Sequence, residues 1–202
     1  MKADRSLALL MQLRKHGASV AGMTIIELVV VLIVLGVVIT LVAPSMRGMM
    51  SRQRVQSVQA DLLTDLQLAR SEMAQRGATS DAVLVTFGSN ANVTCYTVHA
   101  KPGVGISCDC TRGAGAACQP ASTPPPEIKT YQLTRADGVS LSASSPSGSS
   151  IKFVPPKGLV DPTDMVIDVQ ADVSGHLRTS ISGLGVPSVC TPDGSMRGAK
   201  PC

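Results

Sequence analysis

Aromatic side chains are nearly missing from this 202-residue chain, which has no Trp, two Tyr (Tyr96, Tyr131) and two Phe (Phe87, Phe153). Any core must therefore be built from Val, Ile, Leu and Ala. Nucleotide and hydrolase motifs are missing too: there is no P-loop, no Gly-x-Gly-x-x-Gly after a strand, no His-Glu-x-x-His and no Gly-x-Ser-x-Gly. His16, His99 and His176 are scattered, and His99 and His176 read as strand-surface residues. Asp164, Asp168 and Asp172 recur every four residues, but a calcium loop would also need its glycine and terminal glutamate. They read as solvated strand and turn carboxylates. No catalytic constellation, metal site or cofactor is expected, so the chain is expected not to be an enzyme.

Charge is short of one sign only at the start. The net charge is +4, and residues 1–22 supply +3 of it through Lys2, Arg5, Arg14 and Lys15 against Asp4. The remainder is nearly neutral, unlike a dedicated nucleic-acid binder. The basic residues precede a long apolar run, where the positive-inside rule keeps the N-terminus cytoplasmic and exports the chain beyond the run.

That run, Leu28 to Ala43, holds no charge, and Thr40 is its single polar residue. Extended upstream to Gly22 and interrupted only by Glu27, it is about 20 residues, roughly enough to cross a bilayer. A removable signal peptide would need small residues at the far end of the run. The far end is Leu41-Val42-Ala43-Pro44, with a bulky Leu41 and a proline, so the run is expected to stay in the mature protein.

All six cysteines (Cys95, Cys108, Cys110, Cys118, Cys190, Cys202) lie beyond the run, on the side expected to be oxidising. Six cysteines allow fifteen pairings. Cys190 with Cys202 is the best single expectation, and Cys108 with Cys110 is disfavoured by ring strain. A zinc reading of Cys108, Cys110 and Cys118 lacks a clear fourth ligand.

The near end of the run carries a more specific pattern. Gly22-Met23-Thr24-Ile25-Ile26-Glu27-Leu28 resembles the prepilin peptidase site of type IV pilins and type II secretion pseudopilins. The resemblance implies cleavage after Gly22, N-methylation of Met23 and an assembly role for Glu27 as the fifth mature residue. Met23 stands where the family usually has Phe. Gly36 and Pro44 fall where pilin helices commonly carry a helix-packing glycine and a kink-forming proline. Glu27 would cost about 2.5–3.5 kcal/mol near a bilayer centre, less at the cytoplasmic interface. The implied partner is the freed α-amino group of a neighbouring Met23. The 22-residue leader is long for the family, and a start at Met11 would leave one of twelve residues.

Beyond Pro44, Val55, Val58, Leu62, Leu66, Ala69 and Met73 recur at helical spacing, with Arg52, Arg54, Asp61, Asp65, Arg70 and Arg76 as polar positions around them. One helix is expected from about Met23 to Arg76, with Gly77 as its stop. Ala69-Arg70-Ser71-Glu72-Met73 is similar to the Ala-Arg-Ser-Glu-Ala element of GspH/FimT-type minor pilins and pseudopilins. Strand-like runs come next, at Ala82 to Phe87, Val93 to Ala100, Ile128 to Leu133, Val139 to Ser142, Ser150 to Val154, Met165 to Val169 and Leu177 to Ile181. Their order, with Gly158 and Ser182-Gly-Leu-Gly185 between them, resembles the family's C-terminal half. Lys101 to Pro126 and Ala143 to Ser149 read as loops, the first pinned by its cysteines.

The expected fold class is α+β: a leader (1–22), an apolar assembly helix (23–44), its amphipathic continuation (45–77) and a β-rich periplasmic head (78–202). The resemblance implies a minor pseudopilin of a type II secretion system or, alternatively, a minor pilin of a type IV pilus. Its partners would be other pilins or pseudopilins, prepilin peptidase and inner-membrane lipid. DNA is a further candidate partner of some FimT-type pilins through a Gly-Arg-x-Arg-type element. Here that slot, Gly185-Val186-Pro187-Ser188, has no arginine, which leaves Arg197 and Lys200 as the nucleic-acid contacts to consider. Two cations make few phosphate contacts.

Overall fold

The computed structural model describes residues 22–76, 82–145, 148–154 and 159–202. The leader up to residue 21, including Met11, lies outside the described residues, as do Gly77 and Gly158. Two compact units divide the chain, Met1–Ala43 and Pro44–Cys202.

Helix α1 runs Ile25–Arg76. In the first unit its large apolar side chains lie between 45% (Val29) and 85% (Ile25) exposed. This stretch has no polar face; it is apolar all round. Thr40 satisfies its own hydroxyl by donating to the Val37 carbonyl at 2.7 Å. Among the described residues no single helix is long and apolar enough to cross a membrane. The helical lengths Ile25–Leu41 and Ser45–Arg76 meet that requirement together, by length and composition. The first alone reaches about 26 Å at 1.5 Å per residue, short of a hydrocarbon core of about 30 Å.

The second unit is an α+β head. Its strands are β1 (Val83–Ser89), β2 (Val93–Ala100), β3 (Ser107–Cys108), β4 (Cys118–Gln119), β5 (Glu127–Thr134), β6 (Val139–Ser144), β7 (Ser150–Val154), β8 (Leu159–Asp161), β9 (Val166–Ala171), β10 (His176–Ile181) and β11 (Pro187–Cys190). All pair antiparallel, in the orders β5-β2-β1-β7-β8, β11-β10-β9-β6 and β3-β4. The seven strands expected from alternation are all present. Sequence reading missed β3, β4, β8 and β11, which have two to four residues each and so carry almost no periodicity. β6 also extends through Ala143 and Ser144, residues expected in a loop, because both pair with β9.

The helical stripe Val55, Val58, Leu62, Leu66, Ala69 and Met73 is buried throughout and joins Val85, Tyr96, Ile151, Ile167 and Val169 in one core. Both sheets lend apolar residues to it, and the polar pins are spread along the helix. Ser51 donates to the Ser174 carbonyl at 2.7 Å, Arg54 to the Asp137 carbonyl at 2.8 Å, and Gln59 to the Thr179 hydroxyl. Gln59 Oε1 is the one buried side-chain polar atom without a partner among the described residues.

Two expectations about polar residues need correcting. Asp65 is not on the polar face but 1% exposed. Its burial is tolerated because Lys129 Nζ lies 2.6 Å from Oδ1 and the Tyr96 hydroxyl donates to Oδ2 at 2.8 Å. Burial, reinforced by the Asp65 carboxylate, pushes the Tyr96 hydroxyl far above its ordinary value, so it stays a donor. Tyr131 stacks on Tyr96 with ring centroids 5.3 Å apart. Two of the four aromatics thus sit at this junction. His99 is likewise buried, not on a strand surface.

The reason for the second correction is the segment 101–126. β2 is buried on both faces, its pattern running unbroken from Thr94 to His99. Tyr96 and Val98 belong to the core shared with α1. Cys95, facing the other way, is bonded to Cys110 in a 3-10 turn at Cys110–Arg112. The excursion therefore covers the back of β2.

Truncating Leu62, fully buried at the centre of the stripe, should destabilise the head by about 2–5 kcal/mol. Denaturant unfolding of Leu62→Ala beside the wild type, both in detergent, measures it.

Candidate functional site

The chemistry-bearing positions expected from sequence fall in two separate places, the start of α1 and the C-terminal loop. At the start of α1, Gly22 and Met23 precede the helix, and Met23 is 67% exposed. A Cβ built on Gly22 meets nothing within 4 Å among the described residues. Thr24 caps the helix: its Oγ1 accepts from the Glu27 amide at 3.3 Å and its carbonyl from the Leu28 amide at 3.2 Å. Thr24-x-x-Glu27 is thus the spacing of a capping box, legible in the sequence. Glu27 is exposed in the first helical turn, where its carboxylate complements the helix dipole by about 0.3–1 kcal/mol. Glu27 has this local role in addition to any role in assembly.

Gly36 lies on the apolar helix with nothing within 4 Å of a Cβ built there, so nothing among the described residues packs on it. Pro44 falls within the span of α1, but its side chain lies outside the described residues.

Three disulfides staple the head: Cys95–Cys110, Cys108–Cys118 and Cys190–Cys202. Each closes a loop of ten to fifteen residues, worth about 2–4 kcal/mol by constraint of the unfolded chain. In 101–126 they are backed by Glu127, whose carboxylate accepts from the Gly115 and Ala117 amides, and by Arg112, which donates to the Ser107 and Ala117 carbonyls. The cysteines of the disfavoured zinc alternative, Cys108, Cys110 and Cys118, are all in disulfides. Cys110 is bonded to Cys95, and the one candidate cluster among the described residues, His99 with Cys108 and Cys118, has its two sulfurs bonded to each other. A disulfide sulfur offers no thiolate to a metal. His99 is engaged besides, Nδ1 with the Ala100 carbonyl at 2.8 Å and Nε2 with Thr86 Oγ1 at 2.9 Å. Burial lowers its pKa, against the pull of the Ala100 carbonyl and Glu127, and keeps the ring neutral.

The Cys190–Cys202 loop is ordered from within. Asp193 accepts from the Ser195 amide at 2.9 Å and the Thr191 hydroxyl at 3.1 Å. Ser195 Oγ in turn accepts from the His176 amide at 2.9 Å. Met196 is the buried plug, packed in the same core as Val55. Arg197 and Lys200, by contrast, are exposed, and their side chains make no hydrogen bond or ion pair among the described residues.

Of the evenly spaced aspartates, Asp168 is half-buried and not simply solvated. It accepts from Arg178 at 2.9 and 3.1 Å and from His176 Nε2 at 3.0 Å. The strands β9 and β10 place Arg178 directly opposite it. Nothing in the spacing of the aspartates reveals this, since the partners come from the next strand.

No family model, curated protein or solved structure matches this chain.

Partial burial raises the Asp168 pKa, but the Arg178 and His176 hydrogen bonds outweigh it and hold it below the ordinary range. The Ser195 amide and hydroxyl bring Asp193 down to about 2 from 3.8. Both carboxyls are more acidic folded than unfolded. Their support is complete above about pH 4 and drains as pH falls through their folded values. Melting followed by circular dichroism should show the wild type losing stability from pH 4 to 2, and Asp193→Asn losing less over that window.

Proposed function

We propose that this chain is a pilin-like subunit, a minor pseudopilin of a type II secretion system, made as a precursor and assembled through its N-terminal helix. The observation that carries the reading is the junction Gly22-Met23-Thr24-Ile25-Ile26-Glu27 at the start of an apolar helical stretch whose large side chains are all exposed. An apolar surface of that extent needs a non-aqueous partner. Lipid before assembly, and the apolar helices of neighbouring subunits afterwards, would both meet the need. Among the described residues nothing crowds Gly22, which suits access by a prepilin peptidase. Cleavage there would free the Met23 amino group one residue ahead of the Thr24 cap. A positive charge at a helix N-terminus opposes the dipole, and Glu27, from the same or a neighbouring helix, offsets it. Gly36 allows close approach between such helices. The head, stapled by three disulfides, suits the periplasm.

Replacing Gly22 with Leu should leave precursor uncut in cells that hold the peptidase. Mass spectrometry of the N-terminus reads it: the wild type should begin at methylated Met23, and normal processing of Gly22→Leu would contradict the proposal.

One observation favours the type IV pilus alternative with DNA contact: Arg197 and Lys200 stand exposed on the C-terminal loop without partners among the described residues. On that reading duplex DNA is retarded in a gel, more strongly at low salt, and Arg197→Gln with Lys200→Gln abolishes the shift. Unshifted DNA with the wild type leaves the secretion reading in place.

A further inference from the structure

The head opens a groove beside the first turns of its helix. Ser45, Gly48, Met49, Arg52, Gln53 and Gln56 line one side, and Ser174, Met196 and Arg197 the other. Among the described residues no carboxylate lines it. Its volume of about 680 Å³ is in the range of small-molecule sites. Arg52 is held across the groove by Nε, which donates to Ser174 Oγ at 3.0 Å, and its terminal nitrogens have no partner among the described residues. Arg197 faces the groove from the loop anchored by the Cys190–Cys202 disulfide and the buried Met196. Gly48 is a mid-helix glycine whose Cβ would meet only Ser174 Oγ, at 3.8 Å. Packing does not demand a glycine there, and it leaves the groove floor open. Met46, Met49 and Met50 expose half or more of their surface on the same turns.

We infer that this groove holds the phosphate-bearing headgroup of an anionic phospholipid. The inference rests on the membrane-anchored reading above. Two guanidiniums without a carboxylate complement a phosphodiester. The amides of Gln53 and Gln56 suit headgroup hydroxyls, and Met49, the exposed methionine that lines the groove, suits the glycerol and upper acyl carbons. Chain length agrees with the depth required. A hydrocarbon core of about 30 Å takes about 20 helical residues, which from Ile25 ends near Ser45. Gly48 to Arg52 then lie within about 11 Å of chain contour of the core boundary, and arginine stems reach toward headgroups.

Full-length protein in neutral detergent, mixed with equal amounts of phosphatidylglycerol and phosphatidylcholine, tests the site by native mass spectrometry of retained lipid. Flotation with phosphatidylcholine vesicles tests the anchor separately. The wild type should float and should retain phosphatidylglycerol at least about fivefold over phosphatidylcholine. Arg52→Gln with Arg197→Gln should still float but fall to parity. Arg52→Lys with Arg197→Lys should keep most of the preference, and Gly48→Leu should lose it by filling the groove. An intact mass with three disulfides confirms that each variant has folded. Wild type that floats but retains both lipids equally overturns the headgroup site alone. Wild type that fails to float overturns the anchor and the site with it. A preference erased by millimolar inorganic phosphate, or by a short DNA duplex, would assign the groove to a free anion or to nucleic acid and overturn the lipid.

Discussion

The head depends on one seam, the apolar stripe Val55 to Met73 pressed against two antiparallel sheets. Of the four aromatic residues in the chain, Phe87, Tyr96 and Phe153 are in the core, too few to supply most of the buried area. Aliphatic side chains must do so by close packing along a helix of several turns. Neither sheet closes on itself, and each would leave an apolar face in water without the helix. Helix and sheets are therefore mutually required, and the polar contacts at Ser174, Thr179 and Tyr96 set the register in which they meet.

Asp65 shows what that register requires. A carboxylate 1% exposed within the seam is costly unless charge and hydrogen bonds are returned to it. Lys129 supplies the charge and Tyr96 a hydrogen bond, and both come from adjacent strands of one sheet. A helix shifted by one turn would bury the carboxylate without these partners. The disulfides act elsewhere. Two fasten a glycine- and proline-rich excursion over the back of β2, and the third holds the C-terminal loop so that Met196 enters the core while Arg197 stays in solvent. The two halves of α1 differ in the same terms: among the described residues Ser45–Arg76 has a covered face, and Ile25–Leu41 has none.

Much of this was legible because it is local. The 3.6-residue recurrence from Val55 to Met73 marks a helix face whatever lies across from it, and alternation at Ile128 to Leu133 or Val166 to Val169 marks strands by the same logic. The junction at Gly22, the capping spacing of Thr24 and Glu27, and the unbroken apolar run are also patterns of neighbours. Strands of two to four residues, such as β3, β4, β8 and β11, are too short to show a period. They exist because partners across the sheet supply their hydrogen bonds.

The sequence by itself therefore determined which segments are helical, which alternate as strands, where the apolar helix begins and that the cysteines lie beyond it. Only the tertiary structure decided how the four cysteines other than Cys190 and Cys202 pair, that Asp65 and His99 are buried, that Asp168 is paired with Arg178 and His176, and that Arg52 and Arg197 share a groove. Periodicity is a property of residues a few positions apart. These pairings join residues up to 145 positions apart in the chain, brought together only by packing of helix against sheets.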